Sequence, residues 1–273
     1  MNNDDKKLSI ALPGEWALQK VLGPILGEIG GDLKTLYASG RDKITQAAAR
    51  KVTNLEDGAK ANLRVARDVF WNGSYTDESI CAEYFGGILA ASRSSDGKND
   101  SGVFYVDIIK SLSSGQLKMH YIIYRTLNKE LIANDVKKDL NPGQETDLGR
   151  EQLYIPLNSL DDQLKGEDLG AILHGLHAQG LIGTFQTDIH KLGEETGVRY
   201  LEACPSPLGV QLFAIANNKF ADWRNYSNVD FGDFEDIVLP QYYGQSMDQL
   251  CKRAGIDKPS LENNVPAADA PTK

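Results

Sequence analysis

The sequence predicts a mainly α-helical protein, with an N-terminal helical bundle followed by a small winged-helix-like α+β module. Apolar residues recur at helical spacing over most of the first 133 residues, which is typical of amphipathic helices that pack together. Residues 151–216 then contain a helix that ends in Gly-Leu-Ile, a predicted hairpin, and Pro-Leu-Gly at the start of another helix. The chain has 273 residues, which is enough for one or two domains and a sizeable core.

The composition divides the chain into six segments. Residues 1–8 are polar and predicted to be disordered, residues 9–133 form the helical domain, and residues 134–150 form a charged linker. Residues 151–216 are the winged-helix-like module, 217–257 an irregular segment rich in aromatic and acidic residues, and 258–273 a tail predicted to be disordered. The aromatic side chains of residues 217–257 are interpreted either as packing back on the core or as a contact strip for a partner.

The net charge of −9 argues against a general nucleic-acid binder, because neutralising phosphates requires clustered lysines and arginines. Cys81, Cys204 and Cys251 are widely spaced, and the sequence shows no signal peptide. They are therefore expected to be reduced thiols in a cytoplasmic protein. No stretch reaches ~18 uncharged apolar residues, so no membrane-spanning helix is predicted.

The first predicted helix begins at Glu15 and has two contrasting faces. One face is apolar, and the opposite face carries glycines four residues apart, each of which costs a helix about 1 kcal/mol relative to alanine. Two interpretations follow: the helix breaks at Gly30–Gly31, or the glycine face lets a second copy or a membrane surface approach the backbone closely. The candidate contact residues are Gly23, Gly27, Gly31, Leu22, Ile25, Leu26 and Ile29.

Two further helices are predicted over Asp32–Val52 and Glu56–Trp71, the second with Leu63 facing inward and stopped by Asn72–Gly73. Lys43, Arg50 and Lys51 near the end of the first of these helices are interpreted as a solvated basic cluster, because cations suit a helix C-terminus.

The central stretch, Thr76–Leu131, is predicted to form three helices. Thr76 has the residue type of a helix cap, and the adjacent glycines Gly86–Gly87 lie among apolar residues, which favours close packing. A polar loop over residues 94–102 precedes a short buried helix. Ser113 and Gln116 have capping-box spacing, which predicts that the next helix begins at Ser113 or Ser114 and continues beyond Leu127.

Two runs in this stretch carry a family resemblance. An acidic-capped helix ends in residues 88–92, Ile-Leu-Ala-Ala-Ser, and after the loop an aromatic-led helix from Phe104 ends in Leu112–Ser113. This arrangement resembles the Abi-alpha family of bacterial proteins associated with abortive infection, over residues 10–216. The resemblance implies a non-enzymatic phage-defence protein that damages the host or arrests its growth after infection.

The winged-helix-like module has the wrong charge for reading DNA. Between Glu151 and Glu202 there are nine acidic residues against Lys165, Lys191 and Arg199. The candidate recognition helix, Asp168–Gln179, contains no lysine or arginine, whereas a DNA-reading helix needs cations. The module is therefore expected to be a packing or protein-contact unit, and a protein-interaction or regulatory role is the alternative function.

A metal-dependent hydrolase is the second alternative, because His174 and His177 lie three residues apart on one helix and His190 follows. No acidic residue or cysteine lies at a regular short spacing from these histidines, so no metal site is assigned. Cys204 has no nearby base in the sequence, so no catalytic thiolate is assigned either. The sequence also lacks a Walker-type phosphate loop. It therefore predicts no catalytic residue, cofactor or metal, and the expected partners are a protein or a second copy, with peripheral membrane contact as a further candidate.

Overall fold

A computed structural model describes residues 13–23, 38–75, 78–138, 140, 141, 143, 145–164, 166–192 and 197–256. The α-helices are α1 (Pro13–Leu22), α2 (Ala38–Lys51), α3 (Leu63–Gly73), α4 (Ser79–Ala91), α5 (Gly102–Ile109), α6 (Ser114–Ala133), α7 (Leu169–Ala178), α8 (Pro207–Ala216) and α9 (Met247–Arg253). The strands are β1 (Leu153–Pro156), β2 (Ile182–Lys191) and β3 (Gly197–Pro205), and short 3-10 helices occupy Glu145–Arg150, Leu157–Ser159 and Phe220–Asn225. The prediction of a mainly helical protein with a small β component is confirmed.

Helix α4 runs through the centre of the helical part and is buried from Ile80 to Ala90. Two glycines allow other helices to approach it closely. A Cβ atom on Gly87 would lie 1.9 Å from the carbonyl oxygen of Ala216 at the end of α8, and one on Gly86 would lie 2.6 Å from the Cβ atom of Ala47 in α2. The close packing predicted for the glycine pair is confirmed.

Helix α6 is the second central element, and its predicted capping box is present. The Ser113 hydroxyl accepts a hydrogen bond from the backbone N–H of Gln116 at 3.2 Å, and the Gln116 side chain accepts one from the backbone N–H of Ser113 at 2.8 Å. These two bonds satisfy donors that an uncapped helix leaves unpaired. Nearly every residue from Met119 to Leu131 is buried, including several polar ones.

The three strands form an antiparallel sheet in the order β1-β3-β2. Leu201 and Ala203 of β3 are fully buried in the main core, which continues from α1 to Phe234 and includes residues of α7 and α8. The other face of the sheet carries Tyr154 and Tyr200, which pack with α9 in a second, smaller cluster. The sheet therefore shares its core with the helices on one side and is covered by α9 on the other.

Helix α3 begins later than the sequence predicts. Its N-cap is Asn62, whose side chain accepts hydrogen bonds from the backbone N–H groups of Arg64 and Val65. The residues before it form turns, held by paired backbone hydrogen bonds of 3.0 Å between Lys60 and Ser94. The predicted helical start at Glu56 was wrong, and so was the inward orientation of Leu63, which is 37% exposed. The helix predicted after Thr76 begins at Ser79, and Thr76 itself lies outside the described residues.

The glycine row of the first helix is described only in part. Helix α1 ends at Leu22, whose side chain is fully buried in the core, and Gly23 follows with a φ of +60°, a left-handed conformation that favours glycine. The other candidate contact residues, Ile25, Leu26, Gly27, Ile29 and Gly31, lie outside the described residues.

Residues 134–150 also contribute to the core, because Leu140 and Leu148 are both buried there. Within the described ranges, the helices are too short or too polar to cross a bilayer.

Replacing Gly87 with alanine should lower the free energy of unfolding by about 1–3 kcal/mol, because the new methyl group would overlap the Ala216 carbonyl and force α4 and α8 apart. The matched control is Gly149→Ala, since a Cβ atom at Gly149 meets no atom within 4 Å. Urea unfolding of both variants measures the difference. Equal stability of the two would contradict the close approach of α8 to α4.

Candidate functional site

Polar side chains buried on α6 bond to groups far away in the sequence, and His120 is the deepest of them. The His120 Nδ1 atom accepts a hydrogen bond from the Tyr84 hydroxyl, and the Nε2–H group donates to the carbonyl oxygen of Gly209 at 3.1 Å. Burial lowers the pKa of His120 to about 3, so the ring is neutral at physiological pH with its proton on Nε2. This pairing joins α4, α6 and α8 inside the core.

Three tyrosine hydroxyls extend the same network. Tyr124 donates to the carbonyl oxygen of Leu181 at 2.6 Å and accepts from the backbone N–H of Ser206 at 2.8 Å, which attaches both ends of the β2–β3 hairpin to α6. The Tyr226 hydroxyl donates to the main-chain oxygen of Tyr124, and the Tyr121 hydroxyl accepts from the N–H of Phe234. Burial raises the pKa values of Tyr121 and Tyr124 to about 12, so both stay protonated.

Residues 230–234, Asp-Phe-Gly-Asp-Phe, form a feature that we call the Asp-Phe clasp. Its two aspartates bind the side chain of Arg125 on α6, which is only 3% exposed: Asp230 at 2.5 Å from Nη1 and Asp233 at 2.7 Å from Nε. Both phenylalanines of the clasp are buried, and Phe234 stacks on the ring of Tyr121 at 4.3 Å between ring centroids. The clasp therefore fixes the segment after α8 to the middle of α6.

The charges within the clasp are matched. The side chain of Arg125 also donates to the side-chain oxygen of Asn128 at 2.7 Å. The hydrogen bond from Arg125 holds the pKa of Asp233 below its usual range. The pKa of Asp230 is also lowered, and the largest cause is the hydrogen bond that it accepts from the backbone N–H of Gly232. Gly232 sits between the two Asp-Phe pairs with a φ of +90°, which lets the backbone turn so that both aspartates reach the same guanidinium.

A cavity of about 510 Å³ lies beside the clasp, between the C-terminal end of α2 and α4. Two of its charges are largely withdrawn from solvent, Lys51 and Glu83: the Lys51 Nζ atom lies 2.6 Å from the Glu83 carboxylate and 4.2 Å from the centre of the Phe234 ring. Burial lowers the pKa of Lys51 to about 8, although Glu83 opposes that shift. The cavity is lined by Arg50, Lys51, Glu83, Asn217, Lys219, Phe231, Asp233, Phe234 and Glu235.

The pairing of Lys51 overturns its interpretation as a solvated residue. The Lys51 side chain is 11% exposed, and it also donates to the main-chain oxygen of Glu83 at 2.6 Å. Arg50 binds the second carboxylate oxygen of Glu83. Helix propensity and charge place these cations at the end of α2, but only the packing of α4 brings a buried carboxylate against them. The cluster holds α2, α4 and the clasp together.

Two of the three histidines considered as metal ligands pack against one phenylalanine. His174 and His177 both lie against the ring of Phe185, at 5.1 and 5.9 Å between centroids, and His177 Nδ1–H donates to the carbonyl oxygen of Gly183 at 2.8 Å. His190 lies five residues beyond Phe185 on β2. Within the part of the chain that the structure describes, no three His, Cys, Asp or Glu side chains are grouped so that they could hold a metal ion.

Cys204, which the sequence left unassigned, is buried, and its sulfur accepts a hydrogen bond from the Thr184 hydroxyl at 3.3 Å.

The exposed side of α7 and the adjacent strand β2 form the α7–β2 surface. The exposed residues of α7 are small or imidazole-bearing: Gly170, Ala171, His174, His177 and Ala178. The exposed residues of β2 are Thr184, Gln186, Thr187, Asp188, Ile189 and Lys191. The helix contributes no lysine or arginine to this surface, so its potential is not that of a phosphate-binding face.

No family model, curated protein or solved structure matches this chain. The geometry of its own residues must therefore carry the functional argument.

The clasp is the feature that sequence reasoning missed. The sequence leaves open whether the aromatic residues of 217–257 pack on the core or face a partner, and packing on the core is confirmed for Trp223, Tyr226, Phe231 and Phe234, which are buried. The pairing of the two clasp aspartates with Arg125 was not predicted. A signal was present in the repeated Asp-Phe pair around Gly232. A second signal was Arg125, a cation in the middle of α6 directly after the apolar run Tyr121–Tyr124.

The buried neutral state of His120 predicts a pH dependence of stability. Below pH 6.5 the unfolded chain binds a proton that the folded chain does not accept until about pH 3, so stability falls as the pH falls through this window. As the pH falls from 6.5 to about 4.5, we expect the free energy of unfolding of the native protein to decrease by roughly 1.4 kcal/mol per pH unit more than that of His120→Gln.

Urea unfolding at a series of pH values measures both slopes. Parallel slopes for the native protein and His120→Gln would mean that His120 gains its proton in the folded state, against the hydrogen bonding described above.

Proposed function

We propose that this chain is a non-enzymatic phage-defence protein that acts by protein contact through the α7–β2 surface. The observation that carries the proposal is the exposed side of α7, which contains no lysine, arginine or carboxylate and carries glycine, alanine and histidine next to the exposed residues of β2. Small residues allow another protein backbone to approach closely, and without lysine or arginine the helix offers no fixed cation to a phosphate backbone.

The order of elements supports a winged-helix-like assignment for this module. β1 precedes α7, α7 leads into the β2–β3 hairpin, and β3 lies between β1 and β2 in the sheet. In a DNA-binding winged helix, the helix in the position of α7 would enter the major groove and carry cations. Because α7 has none, we assign the module to protein contact.

The strongly shifted titratable groups favour binding over catalysis. Both ring nitrogens of His120 are bonded inside the core, to Tyr84 and Gly209. Lys51 lines the cavity beside the clasp, but its ammonium is bonded to the carboxylate and the main-chain oxygen of Glu83. A catalytic acid or base must instead be free to exchange a proton with a substrate.

The defence context comes from the Abi-alpha resemblance. In this proposal the protein acts in the cytoplasm or at the periphery of the inner membrane, and contact with a partner arrests or damages the host after infection. Gly23 does not fit a helical glycine row, because α1 ends at Leu22 and Gly23 has a left-handed φ of +60°. Gly27 and Gly31 remain a prediction of a second contact, for self-association or a membrane surface.

A charge placed on the α7–β2 surface should abolish protection. We expect Ala178→Glu to remove phage protection in cells that express the chain, while circular dichroism shows unchanged helical content. The matched control is Ala133→Glu, because Ala133 is also an exposed alanine at the last position of a helix, α6. Both substitutions oppose the helix dipole equally, so only the location differs.

Three results would contradict the proposal. The first is equal protection by the two variants, and the second is no protection by the native chain. The third is micromolar binding of the native protein to a short DNA duplex at physiological salt, measured by fluorescence anisotropy, because that would make the module a nucleic-acid reader.

A further inference from the structure

The two edges of the sheet differ in how they are covered. The outer edge of β1 is paired with the chain itself, since Tyr154 donates a backbone hydrogen bond to Gly244 at 2.8 Å and accepts one from it at 3.1 Å. The outer edge of β2 pairs with none of the described residues, although β2 is ten residues long. An edge of this length presents backbone donors and acceptors to which another strand can add. Two backbone groups of β2 are already bound by side chains, since the Gly183 carbonyl accepts from His177 and the Ile189 N–H donates to Asp188, and an added strand would have to displace any of these bonds that face it.

The side chains of β2 make this edge attractive to an apolar partner strand. Phe185, Thr187 and Ile189 alternate with the residues between them and so share one face of the sheet. Ile189 is 53% exposed, so its apolar side chain is accessible to a strand that adds at this edge.

We propose that the partner is a second copy of this chain, whose β2 strand adds antiparallel to β2 across a two-fold axis at Thr187. The proposal rests on the proposed function and names the partner that contacts the α7–β2 surface. The two sheets would become one continuous sheet with both edges covered. Ile189 would lie opposite the partner's Phe185 on the shared face, and apolar cross-strand pairs of this kind stabilise antiparallel strands.

The side chains favour this register over its neighbours. With the axis at Thr187, Asp188 faces the partner's Gln186, and Lys191 faces the partner's Gly183, so no like charges meet. Moving the axis to Asp188 would place two aspartates directly opposite each other, which is destabilising. Moving it to Gln186 would set Ile189 against the partner's Gly183 and lose the apolar pair.

Cysteine cross-linking tests the register directly. Residues on a two-fold axis between antiparallel strands have Cα atoms about 4.5–5.5 Å apart, which a disulfide can bridge. We expect Thr187→Cys to form a covalent dimer on mild oxidation, whereas Ile189→Cys alone does not, because its two copies lie four residues from each other along the strands. A mixture of Ile189→Cys and Phe185→Cys should cross-link. The native thiols, Cys81, Cys204 and Cys251, are buried, and the unsubstituted protein is the background control.

Light scattering of the uncross-linked protein supplies the second readout. The native protein should have twice the 30.0 kDa mass of one chain, and Ile189→Lys should reduce it to one chain without loss of helical content. Val238→Lys is the matched control, since Val238 is another exposed aliphatic residue, 73% accessible and outside the sheet, and it should leave the dimer intact.

A monomeric native protein would overturn the inference. So would a dimer that survives Ile189→Lys, or cross-linking of Gln186→Cys or Asp188→Cys in preference to Thr187→Cys. These results concern purified protein, whereas the proposed function is judged by phage protection. A dimer without protection would therefore contradict only the proposed function, and protection by a monomer would contradict only this inference.

Discussion

Helix α6 is buried over most of its length, and much of the molecule is arranged to satisfy the polar groups that it carries inside. An unpaired polar group in a protein interior costs about 1–3 kcal/mol, and an unpaired charge costs more. Among the described residues the buried hydroxyl of Thr126 has no partner, but the larger polar side chains of α6 have partners that lie far away in the sequence. His120 reaches α4 and α8, Tyr124 reaches the β2–β3 hairpin, and Arg125 reaches the Asp-Phe clasp. Glu130 is bound by Arg253 at the end of α9.

The side chains that hold the fold together are different from those that are exposed for contact with a partner. The titratable groups with the most unusual surroundings, Lys51, His120 and Arg125, lie inside and are bonded within the chain. On the exposed α7–β2 surface, α7 contributes small residues and two histidines, and β2 contributes Asp188 and Lys191 among neutral residues. The edge of β2 there pairs with none of the described residues.

Sequence reasoning succeeded where the determining interaction is local. The capping box at Ser113 and Gln116 spans three residues, and the Gly86–Gly87 pair signals close packing whatever the neighbour is, so both could be predicted. It failed where a distant segment decides the outcome. The start of α3 is delayed to Leu63 because paired backbone bonds between Lys60 and Ser94 hold the preceding residues in turns, and Lys51 is withdrawn from solvent because α4 brings Glu83 to it. Neither contact leaves a periodic trace in the sequence.

The α7–β2 surface also has one feature that is local in the sequence and one that depends on distant segments. The sequence shows directly that helix α7 contains no lysine or arginine, and this argues against DNA binding. The open edge of β2 could not be predicted, because it depends on β3 pairing between β1 and β2 and on Gly244 covering the opposite edge.

The most direct test of the account is the free energy of unfolding when the clasp is opened. Asp230→Ala with Asp233→Ala leaves Arg125 buried without a carboxylate and should cost about 3–5 kcal/mol, and adding Arg125→Met should recover part of that loss. A triple variant no more stable than the double variant would contradict the account, because it would mean that the charge of Arg125 does not need its partners.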